Sequence, residues 1–493
     1  MRARLKVMAP TAAAVAVIAG LTLAPATAGS SATGASTLLR DVRASHADIP
    51  LGKVNLPIDA AHPQPDTQIE PSIAVNPANP RNAVAVFQED RVDNGGDAGN
   101  GFTTTFDGGK TWVHGYLPGL TRQTGGAFDR ASDAVVTYGA DPAQRGHYLV
   151  YAQSLVFDDG SSPSGDTNKS GMAVNISKDN GKTWSKAVIL EQDGLAGLND
   201  KNWIVVDNGR GAGHTTGRVY VVWDRISPMV YTYCDADCGK LSNWANSAEN
   251  NGAFYVYDPE PGIGSIPIVL PNGDLGVVFE GDFGGSPSVP SKPTDQPEFA
   301  TGNSQLQYAV ATGAGSTPFP APLNFSPVPF GIAANTSTPV HEQRAGTLQS
   351  AAADPKTGQL YVAWEDGRFR LDGLNDIVFS TSTDGGVTWS SPKRVNPGSL
   401  SNHVDHWNAM IDVGRDGAVH IGWRQRLERP GDPTARSATG LSKWVDTYYT
   451  RSTNHGATWS APRTIESPGD RSLFSAPAIS PDGTDVYVVY NAF

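Results

Sequence analysis

Alternating apolar and polar positions mark out short strands along most of the chain, and the strands come in pairs joined by turn-forming residues. Residues 72–77 are followed by 83–87, 203–207 by 218–223, 349–354 by 359–364, and 408–412 by 418–423. A last pair, 475–480 and 485–490, stands at the C-terminal end. The runs are short and bounded by Gly, Pro, Asn and Asp, so each pair predicts two antiparallel strands and a tight turn.

Downstream of these pairs one phrase occurs four times. It reads Thr105-Phe106-Asp107-Gly108-Gly109-Lys110-Thr111-Trp112, then Ser177 to Trp184, Ser382 to Trp389 and Ser452 to Trp459, and its common form is S/T-x-D-x-G-x-T-W. In the fourth copy Asn454 stands for Asp and keeps an acceptor oxygen without the charge. The phrase has the logic of a hairpin turn: the carboxylate accepts backbone N–H groups, Gly supplies a positive φ, and Trp covers the gap between neighbouring sheets. The Trp spacings are 72, 205 and 70 residues. The long one is about three repeats, so two further units with eroded phrases are expected between the second and third copies. The stretch from Ala311 to Phe319 reads as one worn copy, and residues 252–257 stand where another unit's third strand is expected.

This phrase resembles the Asp box, or BNR repeat, of the sialidase (neuraminidase) superfamily and related β-propellers. Two strands before each box and one on either side of its turn give four strands per unit, and such units repeated radially make a β-propeller. The predicted fold is all-β: a propeller of four-stranded antiparallel blades, six of them, plus a partial or closing seventh. The C-terminal half blade is completed by residues near 50–68, or the chain stops short of closure. A solenoid of stacked β units is the structural alternative, although its repeats are usually shorter.

Composition sharpens this picture. Gly 54 and Pro 36 with only 17% charged residues describe a turn-rich chain, while 11 Trp, 15 Tyr and 16 Phe supply a core. Arg2, Arg4 and Lys6, an apolar run from Ala12 to Leu23 and the small residues Ala26-Thr27-Ala28 read as a secretory signal over 1–28. An uncleaved signal acting as an anchor is the alternative. Residues 29–64 are then expected to be a poorly ordered N-terminal segment, and 65–493 the propeller. Cleavage leaves 34 basic against 49 acidic side chains, a net charge of −15, which disfavours a nucleic-acid partner. The expectation is a secreted monomer with no membrane attachment after cleavage and a glycan as its partner. In an exported protein, Cys234 and Cys238 are expected to form a local disulfide.

Candidate chemistry gathers on one face. In a four-stranded meander the boxes and the first hairpin turns share a face, so the opposite, upper face carries the loops after second strands and those leading into first strands. The long segments 226–252, 283–302 and 427–444 are read as upper-face insertions, a setting for a binding site or mere decoration. Second strands end in Gln88-Glu89-Asp90-Arg91, Trp223-Asp224-Arg225, Trp364-Glu365-Asp366-Gly367-Arg368 and Trp423-Arg424-Gln425-Arg426. Loops into first strands add Asp129, Arg130, Asp133, Asp200, Lys201, Trp203, Glu342, Arg344, Asp405, His406 and Trp407. These residues fit either a site or an ion-pair girdle closing the ring.

The sialidase resemblance implies an arginine triad for the substrate carboxylate, an Asp acid/base and a Tyr nucleophile activated by Glu. No Phe/Tyr-Arg-Ile-Pro phrase is present to mark the first arginine. By position, the stand-ins are Arg91, Arg225, Arg368 and Arg426 for the carboxylate, with Trp203 and Trp407 flanking the substrate. Tyr490 stands in for the nucleophile, Glu280 or Glu365 for its activator, and Asp90 or Asp133 for the acid. The function implied is a secreted exo-α-sialidase-like glycoside hydrolase acting on extracellular glycans. A two-carboxylate glycosidase of the xyloglucanase type and a non-catalytic carbohydrate- or protein-binding propeller are the alternatives. No cofactor is obligatory; Ca2+ on upper-face carboxylates suits an acidic exported protein, but no ligand spacing demands it.

Overall fold

The computed structural model describes residues 14–18, 21–22, 37–38, 41–44, 63–92, 95–158, 169–193, 199–225, 228–245, 253–281, 305–333, 349–370, 374–400, 404–427, 444–465, 472–481, 483 and 485–492. Four short N-terminal strands come first: β1 (Ala14–Ile18), β2 (Leu21–Thr22), β3 (Thr37–Leu38) and β4 (Asp41–Arg43). Antiparallel meanders follow. The first is β5 (Pro63–Asn76), β6 (Asn79–Val92), β7 (Asp97–Thr105) and β8 (Val113–Tyr116), and the second is β9 (Arg130–Ala140), β10 (Tyr148–Phe157), β11 (Ser170–Ser177) and β12 (Val188–Asp193). The next runs β13 (Asn199–Val206), β14 (Val219–Arg225), β15 (Pro228–Cys234) and the start of β16 (Phe254–Val269). The far half of β16 opens the following meander with β17 (Leu275–Gly281), β18 (Gln305–Ala311) and β19 (Phe325–Ala333). Two more sheets are β20 (Ser350–Ala353), β21 (Leu360–Asp366), β22 (Asp376–Ser382), β23 (Lys393–Arg394) and β24 (His406–Val413), β25 (Val419–Leu427), β26 (Trp444–Ser452), β27 (Arg463–Thr464). The chain ends in β28 (Ser472–Ile479) and β29 (Val486–Ala492).

The first strands touch in the order β5, β9, β13, β16, β20, β24, β28, and β28 returns to β5, so the sheets form a propeller-like ring. An apolar cluster fills each junction. Val84, Val86 and Phe102 meet Val136, Val150 and Ala152 at one; Ile73, Ala85 and Phe87 meet Ala478, Tyr487 and Val489 where the ring closes. Tyr487 there donates its hydroxyl to Pro80 O across the closure, at 2.7 Å. Burying a sheet on both faces explains why second strands such as β21 are inaccessible along their whole length.

The boxes do what their residues dictate. Thr105 Oγ1 accepts from Gly109 N at 2.8 Å and donates to Asp107 Oδ1, which also takes Thr111 N at 2.9 Å; Thr111 Oγ1 donates to Asp107 Oδ2. The second and third boxes repeat this set. Each later box Trp packs on an aromatic of the preceding sheet's third strand, Trp184 on Phe102, Trp389 on Tyr308 and Trp459 on Phe379.

Three sequence expectations change here. Residues 254–257 are the fourth strand beside β15, not a third strand, because 228–234 already fill that place. Segment 226–252 is therefore not an upper-face insertion; its described part beyond Cys234 lies on the box side. Insertions 283–302 and 427–444 stand between second and third strands; the first lies wholly outside the described residues, the second apart from its two end residues. Finally, β29 pairs with β1, and β1 with β4, while Pro63–Asn76 opens its own meander, so residues 63–68 do not complete the last sheet; residues 50–62 lie outside the described residues. The worn copy at 311–319 is a true turn between third and fourth strands, with Asp274 Oδ1 taking Gly313 N at 2.6 Å in place of a box carboxylate.

Candidate functional site

On the face opposite the boxes, first strands share a bulge. Register shifts fall between Ile69 and Ser72, Asp200 and Trp203, Ile263 and Ile266, and Trp407 and Met410, and opposite Ser154 in β9. One residue in each bulge has a positive φ: Glu70 (51°), Asp133 (45°), Lys201 (43°), Gly264 (73°) and Asn408 (51°). Non-glycine residues take this conformation at a cost of roughly 1–2 kcal/mol, and bulges of this kind re-aim a side chain. Three consecutive first strands thus present Glu70, Asp133 and Lys201 at one mouth of the ring.

These three interact. Glu70 Oε2 accepts from Gln88 Nε2 at 2.6 Å, Gln88 Nε2 also donates to Ser132 Oγ at 2.9 Å, and Ser132 Oγ donates to Asp133 Oδ1 at 2.7 Å. Lys201 Nζ lies 3.6 Å from Asp133 Oδ2. Burial and then the Asp133 charge push Glu70 up to about 7, against the opposing Lys201 and Arg91 cations. Asp133 moves the other way: burial would raise it, but Lys201 and the Ser132 hydroxyl hold it below the usual carboxylate range. Lys201 is raised, first by Asp133, and stays charged. Two neighbouring carboxyls are therefore driven apart, one protonated near neutrality and one ionised.

Asp200 shares a side-chain hydrogen bond with Asp133, whereas most of the other predicted residues lie elsewhere. Glu365 is fully buried and accepts from Asn408 N, the bulge amide of the next sheet, at 2.8 Å; Asp224 takes the equivalent amide of Gly264. Each of these acids ties its sheet to the next. Glu280 holds the register position of Asp224 and Glu365 on β17. Asp90 is buried and accepts from Tyr116 Oη at 2.8 Å. Arg225 pairs with Asp193 and with Glu191 at 3.3 Å, Arg368 with Asp366 at 2.6 Å, and Arg426 lies over Trp407. Trp407 is wholly buried and Trp203 packs into the core between sheets. Arg91 alone of the four arginines faces the Glu70 cluster, donating to Gln88 Oε1 at 2.9 Å. Tyr490 lies on β29, and its side chain is outside the described residues. Sequence reasoning named Asp133 and Lys201, and Gln88 within its second-strand end, but missed Glu70 and Ser132. Glu70 stands just before the apolar run of its first strand as Asp133 does, and aligning those stretches was the available signal. Among the described residues no group of three or more His, Cys, Asp or Glu is arranged to hold a metal ion.

The BNR/Asp-box repeat matches residues 176–186, the second box, and bears out the resemblance stated from the four boxes. No curated protein matches the sequence. Similar solved structures include an α-L-arabinofuranosidase of Fusarium graminearum (10% identity, 78% of this chain and 93% of that one, TM-score 0.44). A Hadza microbial sialidase (15%, 73% and 63%, 0.42) and a protein of unknown function from Dyadobacter fermentans (12%, 86% and 94%, 0.41) are others.

Proposed function

We propose that the protein is a glycoside hydrolase whose acid is Glu70 and whose carboxylate partner is Asp133. The observation that carries this reading is the placement of two half-buried carboxyls on one hydrogen-bond chain beside a lysine, in surroundings that push Glu70 up and hold Asp133 down. Protonated Glu70 gives its proton to the leaving glycosidic oxygen, and ionised Asp133 either takes a proton from the water that attacks the sugar carbon or attacks that carbon itself, the glycosyl ester then being hydrolysed by water. The narrower form is an exo-α-sialidase; Arg91, beside Glu70, is the arginine placed to meet a substrate carboxylate. The reading extends to a secreted monomer acting on extracellular glycans in a ring of seven blades. The basic, apolar and small-residue order of 1–28 and the contact of β28 with β5 support these parts. Among the described residues no helix is long and apolar enough to cross a membrane.

The test is hydrolysis of a panel of fluorogenic glycosides, with a sialoside and an α-L-arabinofuranoside first, by the parent and by folded Glu70→Gln and Asp133→Asn variants. A loss of about 10²–10⁴-fold in both variants is expected. The parent's kcat should fall as pH rises through about 7, where Glu70 loses its proton. Unchanged turnover in both variants overturns the site. Saturable glycan binding without turnover at any pH from 4 to 8 replaces the hydrolase with a binding propeller.

A further inference from the structure

The orientation of the Gln88 amide is fixed by its neighbours. Arginine has only donors, so the Gln88 atom 2.9 Å from Arg91 Nη1 must be the oxygen, and the NH2 group faces Glu70 and Ser132. With the amide nitrogen donating to it, Ser132 Oγ spends its own hydrogen on Asp133 Oδ1. Glu70 Oε2 is occupied as an acceptor, and among the described residues Oε1 receives no hydrogen bond. A proton on Glu70 therefore sits on Oε1. Gln88 is almost wholly buried, and nothing in packing alone calls for a polar side chain there.

We propose that Gln88 is a positioning residue of this site: held by Arg91, it places the acid proton of Glu70 on Oε1 and, through Ser132, keeps Asp133 an acceptor. The inference rests on the hydrolase reading for its purpose, but the hydrogen-bond wiring is testable without it. Other charges facing Glu70 are Arg91 and Asp97 from its own sheet and Asp133, Asp200 and Lys201 from the next two. None of these replaces the donor that Gln88 supplies.

The experiment is a 13C-NMR titration of the Glu side-chain carboxyls in the full chain, with Glu70→Gln to assign the signal, for the parent, Gln88→Met and Ser132→Ala. Removing the Gln88 donor withdraws support from the Glu70 carboxylate, so its titration should move to higher pH in Gln88→Met. The falling limb of the kcat–pH profile should follow it, with kcat down about tenfold and KM held. Ser132→Ala should lower kcat and move the low-pH limb, set by Asp133, upward, which covers the case in which Gln88→Met does not fold. A shifted Glu70 titration in a chain that hydrolyses no glycoside supports the wiring and removes the hydrolase. Unmoved titrations and pH profiles in folded variants overturn the proposal.

Discussion

Gly456 shows how one residue ties two sheets. Its φ is +80°, and a Cβ there would meet the Phe379 ring of the preceding sheet at 2.2 Å. Both the left-handed conformation and the overpacking oppose any side chain, and together they cost about 3 kcal/mol. Gly456→Ala should therefore lower the chemical-denaturation midpoint by that equivalent, whereas Gly385→Ala, where a Cβ meets nothing, carries only the backbone part. Asn454 shows a subtler exchange. In the other boxes Thr Oγ1 donates to the carboxylate; here Asn454 Nδ2 donates to Thr458 Oγ1 at 2.9 Å, so the link survives with its polarity reversed. The charge is lost with it. Asp384 is held down to about 2 by the Thr388 hydroxyl, the Thr388 amide and the Ser382 hydroxyl. A depressed carboxylate contributes stability that is present above its unfolded value and fades as pH falls toward 2, and the fourth box has no such dependence.

At the scale of the element, the disulfide takes the place of a box. Cys234 pairs with Val219 as Ser177 pairs with Val150 and Ser452 with Val419, so it holds the position of the box hydroxyl. Cys238 falls four residues later, where the other boxes carry the glycine whose amide bonds that hydroxyl. Trp244 Nε1 donates to Cys238 O at 2.9 Å, as Trp112 and Trp389 do to their box glycines. A covalent bond thus replaces a hydrogen bond between the same two turn positions. A Cys234→Ser/Cys238→Gly chain should fold without oxidation and unfold near the parent's Tm, while Cys234→Ala/Cys238→Ala should fall clearly below it. Equal Tm values for the two variants count against the equivalence. The sequence announced the disulfide but not its role, because the box Asp is Ala236 here and the motif is erased.

In the whole molecule, stability depends on junctions between sheets, and one is sensitive to pH. His214 places Nδ1 2.8 Å from Asp207 Oδ1 and Nε2 2.9 Å from Pro271 O, in the turn of the next sheet. Both partners are acceptors, so the imidazolium satisfies both. Burial alone would lower His214, but the Pro271 carbonyl and the Asp207 carboxylate raise it. The stabilisation is complete below the unfolded value near 6.5 and is lost as pH rises through the raised folded one. Tm should decline across that window in the parent and not in His214→Gln. Ring closure is the other global property: β28 lies on β5, and Tyr487 bonds Pro80 O across that junction.

Much of this was legible from local pattern. Alternation predicted the strands, and four copies of one phrase predicted the meander, its turns and the packing of Trp between sheets, because a box is satisfied within eight residues of itself. The site was legible only in part. Asp133 and Lys201 were visible as charged residues before first strands, but Asp90, Glu365 and Arg225 looked equally suitable and are held by partners in their own or neighbouring sheets. Sequence separates Glu70 from Asp133 by 63 positions and both from Lys201. Charge state depends on burial and on neighbours brought in by the ring, neither of which a linear pattern encodes. Residue types and turn chemistry fixed which elements form; only the closed ring decided which acids meet, which are spent on bulge amides, and which carries a proton near neutral pH.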